Sequence, residues 1–150
     1  MKAPRRAATA ADLAAVRAEH AVLGDLLARH QDALVGFDFS NALGELEEFS
    51  RRLRRHIRLE EDVLLPAYAA LGEPPRGGQP QTFFDEHRKI EERLEEIMTA
   101  ARWLGVGSAS RRAVVALIER EARLKAVLGH HEEREDKTLL ARLDKALEGG

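Results

Sequence analysis

The chain contains no cysteine, which excludes disulfide bonds, zinc–thiolate sites, iron–sulfur clusters and thiol nucleophiles. Aromatic residues make up only 5% of it and runs of β-branched residues are absent, so an all-β fold is not expected. No apolar run approaches the roughly 20 residues of a membrane-spanning helix, and residues 1–11 lack the apolar segment of a secretory signal. These absences favour a cytoplasmic protein with no membrane partner.

An excess of charge of either sign is also missing, since the formal net charge is −2 and acidic and basic residues are interleaved. The basic stretch at residues 51–55 is flanked by glutamates and is typical of a solvated helix face. We therefore expect no nucleic-acid partner. What the chain does contain, 33% charged and 44% hydrophobic residues with few prolines, favours long amphipathic helices.

Turn-forming segments divide the chain into four predicted helices, at about 10–34, 40–71, 81–104 and 110–147. Ser40 and Ser110 are suitable N-caps for the second and fourth helices. Each helix has one face on which apolar residues recur at steps of three and four. Short connections favour antiparallel neighbours, so we predict an all-α fold, an up-down-up-down antiparallel four-helix bundle forming a single domain over residues 1–150.

The two halves of the chain resemble one another. Segments 56–65 and 131–140 share a histidine, a glutamate four residues later, an acid directly after it and a terminal pair of leucines. The helices that precede them share a glutamate–histidine pair, at residues 19–20 and 86–87. The chain is thus two copies of a unit in which one helix carries a histidine and the next carries His-x-x-x-Glu.

The placement of the histidines makes them candidate metal ligands. A lone histidine on an apolar stripe is more often a hydrogen-bonded core residue, but here every helix has one, and two helices add a glutamate one turn later. Burying these groups without compensation would cost several kcal/mol per charge, a cost that a metal cation removes. The candidates are His20, His56, Glu60, His87, His131 and Glu135.

Helix geometry gives a separate test of this interpretation. Residues equally far from a turn in antiparallel helices lie at the same level, because both helices rise by about 1.5 Å per residue. His20 and His56 each lie about 18 residues from the centre of the first turn, and His87 and His131 lie about 21 and 23 residues from the centre of the third. Each pair is therefore expected to be level.

The same arithmetic excludes other residues from a compact site. His30 lies on the stripe of His20 but about 15 Å further along the axis, and Glu121 is equally far from His131. His130 points about 100° away from His131 and is expected to be peripheral.

Imidazole and carboxylate ligands without sulfur suit iron, manganese or zinc, and six of them suit two carboxylate-bridged cations better than one tetrahedral zinc. Ferritin-like bundles use Glu-x-x-His, whereas this chain has His-x-x-x-Glu. With histidines and glutamates in this order, the sequence resembles the hemerythrin-like HHE family from His20 to Leu140. The residues on which the resemblance rests are His20, segment 56–66, Glu86-His87 and segment 131–135.

The resemblance implies a non-haem di-iron centre, with two iron ions joined by an oxo or hydroxo bridge and with manganese or zinc as substitutes. It implies that two histidines bind each iron and that two glutamates bridge both. The implied pairs are His20 with His56, His87 with His131, and the bridging Glu60 with Glu135.

Two departures from the oxygen-carrying members of the family bear on function. Glu91 stands where those proteins have a second histidine on the third helix, so it is a candidate terminal ligand or a solvated surface acid. Asp136 could replace Glu135 as the bridging acid, although the internal repeat favours Glu135. An anionic oxygen donor stabilises ferric iron more than a neutral imidazole does, which argues against reversible oxygen carriage.

The resemblance therefore implies a protein that binds, senses or reacts with oxygen, peroxide or nitric oxide. Enzymatic turnover stays undecided, and Glu61, Glu91 and Asp136 are candidate proton-transfer groups. Two alternatives stay open: an iron store, donor or sensor without turnover, and a metal-free helical interaction bundle with pH-sensitive histidines. We expect a monomer or weak homodimer, a packing role for Tyr68, and a kink or helix end at Pro66.

Overall fold

The computed structural model describes residues 3–107 and 110–149, and all the regular secondary structure in these ranges is helical. In chain order the segments are α1 (Ala10–Val35), α2 (Phe39–Leu59), the π-helical turn π1 (Glu60–Leu64), α3 (Leu65–Ala69), α4 (Pro80–Leu104), α5 (Arg111–Arg134), the π-helical turn π2 (Glu135–Leu140) and α6 (Ala141–Glu148). They form four rods: rod 1 is α1, rod 2 is α2–π1–α3, rod 3 is α4, and rod 4 is α5–π2–α6. The prediction of an all-helical bundle is confirmed.

Side-chain caps start three of the rods. Thr9 and Asp12 form a capping box at the start of α1, and Ser110 accepts a hydrogen bond from the Ala113 N–H at 3.1 Å, as predicted. The prediction of Ser40 as an N-cap was wrong. Asp38 caps α2 instead, because an aspartate is as good a cap as a serine and occurs two residues earlier. Part of the third predicted turn, residues 108–109, lies outside the described residues, as do residues 1–2 at the N-terminus.

The apolar interior is divided into two hydrophobic cores. The larger core contains residues from every rod, among them Leu23, Ile57, Ile90 and Leu128. The smaller core lies on the other side of the predicted histidine and glutamate ligands. Its residues include Val16, Val63, Phe83 and Leu139. The predicted histidine and glutamate ligands therefore form a buried polar layer between two apolar cores.

Rod 2 continues through Pro66 rather than ending there. Proline has no N–H to donate to the carbonyl group four residues earlier, which belongs to Asp62. That carbonyl accepts a hydrogen bond from the Arg5 N–H at 2.9 Å instead. The N-terminal segment thus satisfies the backbone group that Pro66 leaves free.

Tyr68 has the predicted packing role. Its side chain is buried, its ring meets Phe83 edge-on with 5.8 Å between centroids, and its hydroxyl donates to the Gly78 carbonyl at 2.5 Å. Tyr68 therefore holds the loop between rods 2 and 3 against the smaller core. Within residues 3–107 and 110–149, no helix is long and apolar enough to cross a membrane.

Candidate metal centre

The predicted histidines of all four rods meet in the polar layer. The ring centroids of His20 and His56 are 5.4 Å apart, and those of His87 and His131 are 4.7 Å apart. The structure therefore brings together the two pairs whose levels were matched from the sequence. Glu60 lies among them with no exposed surface.

One group of possible ligands is entirely buried and has four members. The Nε2 atoms of His87 and His131 lie 3.1 Å apart, and Glu60 Oε2 lies 3.0 Å from the first and 3.4 Å from the second. Glu135 Oε1 is in contact with His131 Nε2. Nitrogen and oxygen atoms from these four side chains lie within 4.8 Å of one another, so one cation could contact all four.

A second group of three lies beside the first and shares Glu135 with it. Glu135 Oε2 lies 3.1 Å from His20 Nε2 and 3.6 Å from His56 Nε2. The remaining oxygen of Glu60 turns towards this group, with Oε1 2.7 Å from His56 Nε2. Glu60 and Glu135 thus each present one oxygen to each group, which is the arrangement of a carboxylate that bridges two cations.

An acid of the neighbouring rod orients the ring of His87 through a hydrogen bond to its Nδ1 atom. His87 Nδ1 donates to Glu61 Oε2 at 2.7 Å, and Arg88 in turn contacts Glu61 at 3.3 Å. Because an ionised carboxylate only accepts hydrogen bonds, the proton of the neutral imidazole is held on Nδ1. The Nε2 lone pair then points into the polar layer.

His131 is held in the same way by rod 3. His131 Nδ1 donates to Glu86 Oε1 at 3.0 Å, and Arg134 donates to Glu86 Oε2 at 3.0 Å. When both rings are neutral, two acceptor lone pairs therefore face each other across the 3.1 Å between His87 and His131. Such an arrangement is repulsive by itself and is stabilised by a cation between the nitrogen atoms.

Two carboxylate oxygens support the same conclusion. Among the described residues, Oε1 of Glu60 and Oε1 of Glu135 are buried and make no hydrogen bond, although histidine nitrogens lie close to both. Buried carboxylate oxygens without hydrogen bonds are costly and are rare in native structures. The donor set, its orientation and these two oxygens fit a bound metal cation.

Residues 1–68 match the family model of the hemerythrin HHE cation binding domain. The match confirms the resemblance found in the sequence for the first copy of the repeat. It includes His20, His56 and Glu60, and the remaining ligands lie in the second copy of the repeat. No curated protein and no solved structure matches the chain. We call the polar layer formed by the two groups the HHE site.

Without a cation, the HHE site is a network of buried ion pairs. Burial lowers the pKa of His131, but the surrounding carboxylates have the larger combined effect and raise this pKa to about 12. The pKa of His56 is raised to about 10 by the same balance. Burial raises the pKa of Glu60, but three neighbouring imidazoles hold it well below its usual value. A cation that binds here therefore displaces imidazole protons.

The structure places two other predicted acids outside the HHE site. Glu91 belongs to neither group of possible ligands, and its carboxylate accepts a hydrogen bond from Arg88 at 2.6 Å. Glu91 is thus oriented along the surface of rod 3 rather than into the polar layer. Asp136 is 52% exposed, and its Oδ1 is 3.9 Å from His20 Nδ1, whereas Glu135 belongs to both groups.

The histidines that were excluded by distance lie elsewhere. His30 is fully buried next to the larger core, where its Nε2 lies 2.6 Å from Glu121 Oε2 and its Nδ1 donates to the Ala42 carbonyl at 2.7 Å. His130 is exposed. The His30–Glu121 pair accounts for both buried groups without a metal.

Sequence reasoning did not assign a role to Glu86 and named Glu61 only as a proton-transfer candidate. The repeat contained a signal for both: Glu86 precedes the histidine of rod 3 and Glu61 follows the glutamate of rod 2. Glu61 and Glu86 each contact the ligand of the neighbouring rod. That relationship depends on how the rods pack, so the sequence indicates the residues but not their partners.

Proposed function

We propose that the chain binds two iron ions in the HHE site and uses them to sense or react with oxygen, peroxide or nitric oxide. The observation that supports this most strongly is the position of Glu60 and Glu135, each with one oxygen towards each group of ligands. A single cation would need only one of these groups. Two cations that shared both carboxylates would use the Nε2 atoms of all four histidines and both oxygens of each carboxylate.

The chemistry of the donors supports iron. Four imidazoles and two bridging carboxylates, with no sulfur ligand, suit iron, with manganese or zinc as competing metals. Iron bound here would supply one-electron redox chemistry towards small oxygen and nitrogen species. Glu61 and Glu86 accept hydrogen bonds from Nδ1 of His87 and His131, which leaves the Nε2 atoms of these two rings available to a metal.

The surroundings of the site favour a small ligand. A groove of about 340 Å³ between rods 1 and 2 is lined by His56 and by the apolar residues Ala15, Val16 and Leu59. The side chain of His20 is 13% exposed, whereas the other ligands are almost completely covered. A second groove, of about 700 Å³, lies beside Glu61 and Arg88, but none of the proposed metal ligands lines it.

The test begins with anaerobic loading of the protein with Fe²⁺, followed by elemental analysis and optical spectra during exposure to oxygen, hydrogen peroxide or nitric oxide. We expect two irons per chain and a near-ultraviolet change with at least one of the three reagents. Repeated consumption of peroxide distinguishes an enzyme from an iron store or sensor, which would react once. Absence of bound iron, manganese and zinc would contradict the proposal and favour a metal-free bundle.

We also propose that the rods run up, down, up and down within one domain. The pairing of His20 with His56 and the contact of His30 with the Ala42 carbonyl support opposite directions for rods 1 and 2. Arg17, near the start of rod 1, contacts Asp144, near the end of rod 4, at 2.5 Å. A single cooperative unfolding transition, observed by two independent probes, is the expected result for one domain.

A further inference from the structure

We propose that the two cation positions fill in a fixed order. The position between His87 and His131, which we call the inner position, binds first and tightly, and the position between His20 and His56, the outer position, binds second and exchanges. This inference rests on the proposed two-cation function. It assigns a positioning role to Glu61 and Glu86, which contact ligand rings rather than the cations.

The internal repeat allows the two positions to be compared within one molecule. Alignment of segments 56–65 and 131–140 makes Asp136 the equivalent of Glu61, and alignment of the glutamate–histidine pairs makes Glu19 the equivalent of Glu86. If the two halves were functionally symmetric, Asp136 would support His20, and Glu19 would support His56. Each position would then have two acids behind its imidazoles.

The structure shows this support at the inner position only. Glu61 and Glu86 lie 2.7 and 3.0 Å from the Nδ1 atoms of their histidines. Asp136 Oδ1 is 3.9 Å from His20 Nδ1, which is too long for a hydrogen bond, and the Asp136 side chain is 52% exposed. Glu19 contacts Arg52 at 3.5 Å and Arg55 at 4.0 Å instead of His56.

The supporting acids of the inner position are themselves fixed. Arg88 contacts Glu61, and Arg134 contacts both Glu86 and the Gly77 carbonyl, the latter at 2.7 Å. The rings of the inner position are thereby prevented from rotating out of the site. Hydrogen bonds of this kind orient metal-binding histidines, and their loss typically weakens metal binding about 10- to 100-fold.

Burial points to the same order. The four ligands of the inner position are all buried, whereas the outer position includes His20, whose side chain is 13% exposed. A first cation also partly neutralises the negative charge of the shared carboxylates, so a second cation is attracted less strongly. The outer cation is therefore the one expected to leave first.

The experiment is an anaerobic calorimetric titration of the metal-free protein with Fe²⁺, followed by dialysis against a graded series of chelator concentrations and elemental analysis. We expect two binding steps whose dissociation constants differ by about tenfold or more. A range of chelator concentrations should leave one iron per chain. His20→Ala should retain that tightly bound iron, and His87→Ala should lose it.

The repeat provides matched variants. Glu61→Gln and Glu86→Gln should weaken the first step by about 10- to 100-fold. Asp136→Asn and Glu19→Gln, which remove the same charge at the equivalent positions, should leave the first step within about threefold of the parent, on the same reasoning. A general loss of stability would weaken both steps together, so an effect confined to the first step identifies a positioning role. Circular dichroism checks that each variant is folded, and the two inner variants test the role independently.

Three outcomes are distinguishable. Two steps with the expected response of the variants support the inference. Binding of both irons in one step, or equal effects of the inner and outer variants, overturns the order of filling but leaves the two-cation site intact. Absence of any Fe²⁺ binding overturns the proposed function itself.

Discussion

Glu60 and Glu135 occupy equivalent positions in the two halves of the molecule, and each is the first residue of a π-helical turn. Both side chains are completely buried and each faces imidazoles of both groups. π-Helical turns are rare and occur frequently at functional sites. Their presence at the same carboxylate in both copies indicates that the wider turn helps to orient these side chains.

We predict that Glu60→Gln and Glu135→Gln each reduce the metal content to one cation per chain or fewer. An amide is a weaker ligand than a carboxylate, and it lacks the negative charge with which a bridging carboxylate attracts two cations. Elemental analysis of protein loaded and desalted under identical conditions measures the effect. Glu133→Gln is the control, because Glu133 is exposed on the same rod and pairs with Lys137. Unchanged metal content in both bridging variants would contradict the bridging role.

Glu91→Gln is predicted to keep the full metal content. The Glu91 carboxylate contacts Arg88 and lies outside both groups of ligands, so its charge should not be needed for binding. The same elemental analysis provides the measurement. A loss of one cation in this variant would show that Glu91 changes its orientation and acts as a terminal ligand in the loaded protein.

Removal of the metal is predicted to lower the thermal unfolding temperature. A ligand that binds only the folded state adds about 2.7 kcal/mol at a free concentration 100 times its dissociation constant. Thermal unfolding followed by circular dichroism, with and without added iron, measures the shift. The double variant Glu60→Gln, Glu135→Gln should show little shift, and a shift as large as that of the parent would indicate iron binding elsewhere.

The N-terminal cap of α1 should make stability depend on pH. Bidentate contacts with Arg6, at 2.7 and 2.8 Å, and hydrogen bonds with Thr9 outweigh the effect of partial burial and hold the pKa of Asp12 well below its usual range. A lowered folded-state pKa adds stability above the unfolded value of about 3.9, and this contribution is lost as the pH falls below it.

We therefore expect Asp12→Asn to lower the free energy of unfolding by about 1 kcal/mol at pH 7. The difference between parent and variant should shrink towards pH 3. Urea unfolding of the metal-free proteins at both pH values avoids any contribution from metal release. Asp25→Asn, an exposed change in the same helix, is the control. A difference that grows as the pH falls would contradict the assignment.

Gly78 is predicted to tolerate no side chain. A Cβ atom there would lie 2.6 Å from the Tyr68 hydroxyl and 2.7 Å from Thr138 Cγ2. We expect Gly78→Ala to destabilise the protein by about 1–3 kcal/mol in urea unfolding, as overpacking does. Gly24→Ala, in the middle of α1 with nothing within 4 Å of the new Cβ, should stabilise it by about 0.5–1 kcal/mol. Equal effects of the two changes would refute the crowding argument.

The convergence of the histidines was predictable because helix rise is constant. Equal distances from a turn place His20 and His56 at one level whatever the detailed packing. The same regularity correctly separated His30 from the site. The sequence could not show that His30 pairs with Glu121, because that contact depends on the rotation of rod 4 relative to rod 1.

The π-helical turns could not be predicted, since they differ from α-helix by a single shifted hydrogen bond and have no compositional pattern. The continuation of rod 2 through Pro66 also depended on a distant group, the Arg5 N–H that reaches the Asp62 carbonyl. The unequal support of the two histidine pairs was hidden for a similar reason. Repeat symmetry predicts equal halves, and only the packed structure shows that Glu19 turns to arginines.

Each π-helical turn also sets the phase between the buried carboxylate and the leucines that follow it. If the same residues formed ordinary α-helix, the rest of rod 2 would be rotated by about 100° around its axis. Leu64 and Leu65, which are completely buried, would then face a different direction, while His56 stayed in place. The two π-helical turns therefore allow the buried carboxylates and the buried leucines that follow them to face the interior together.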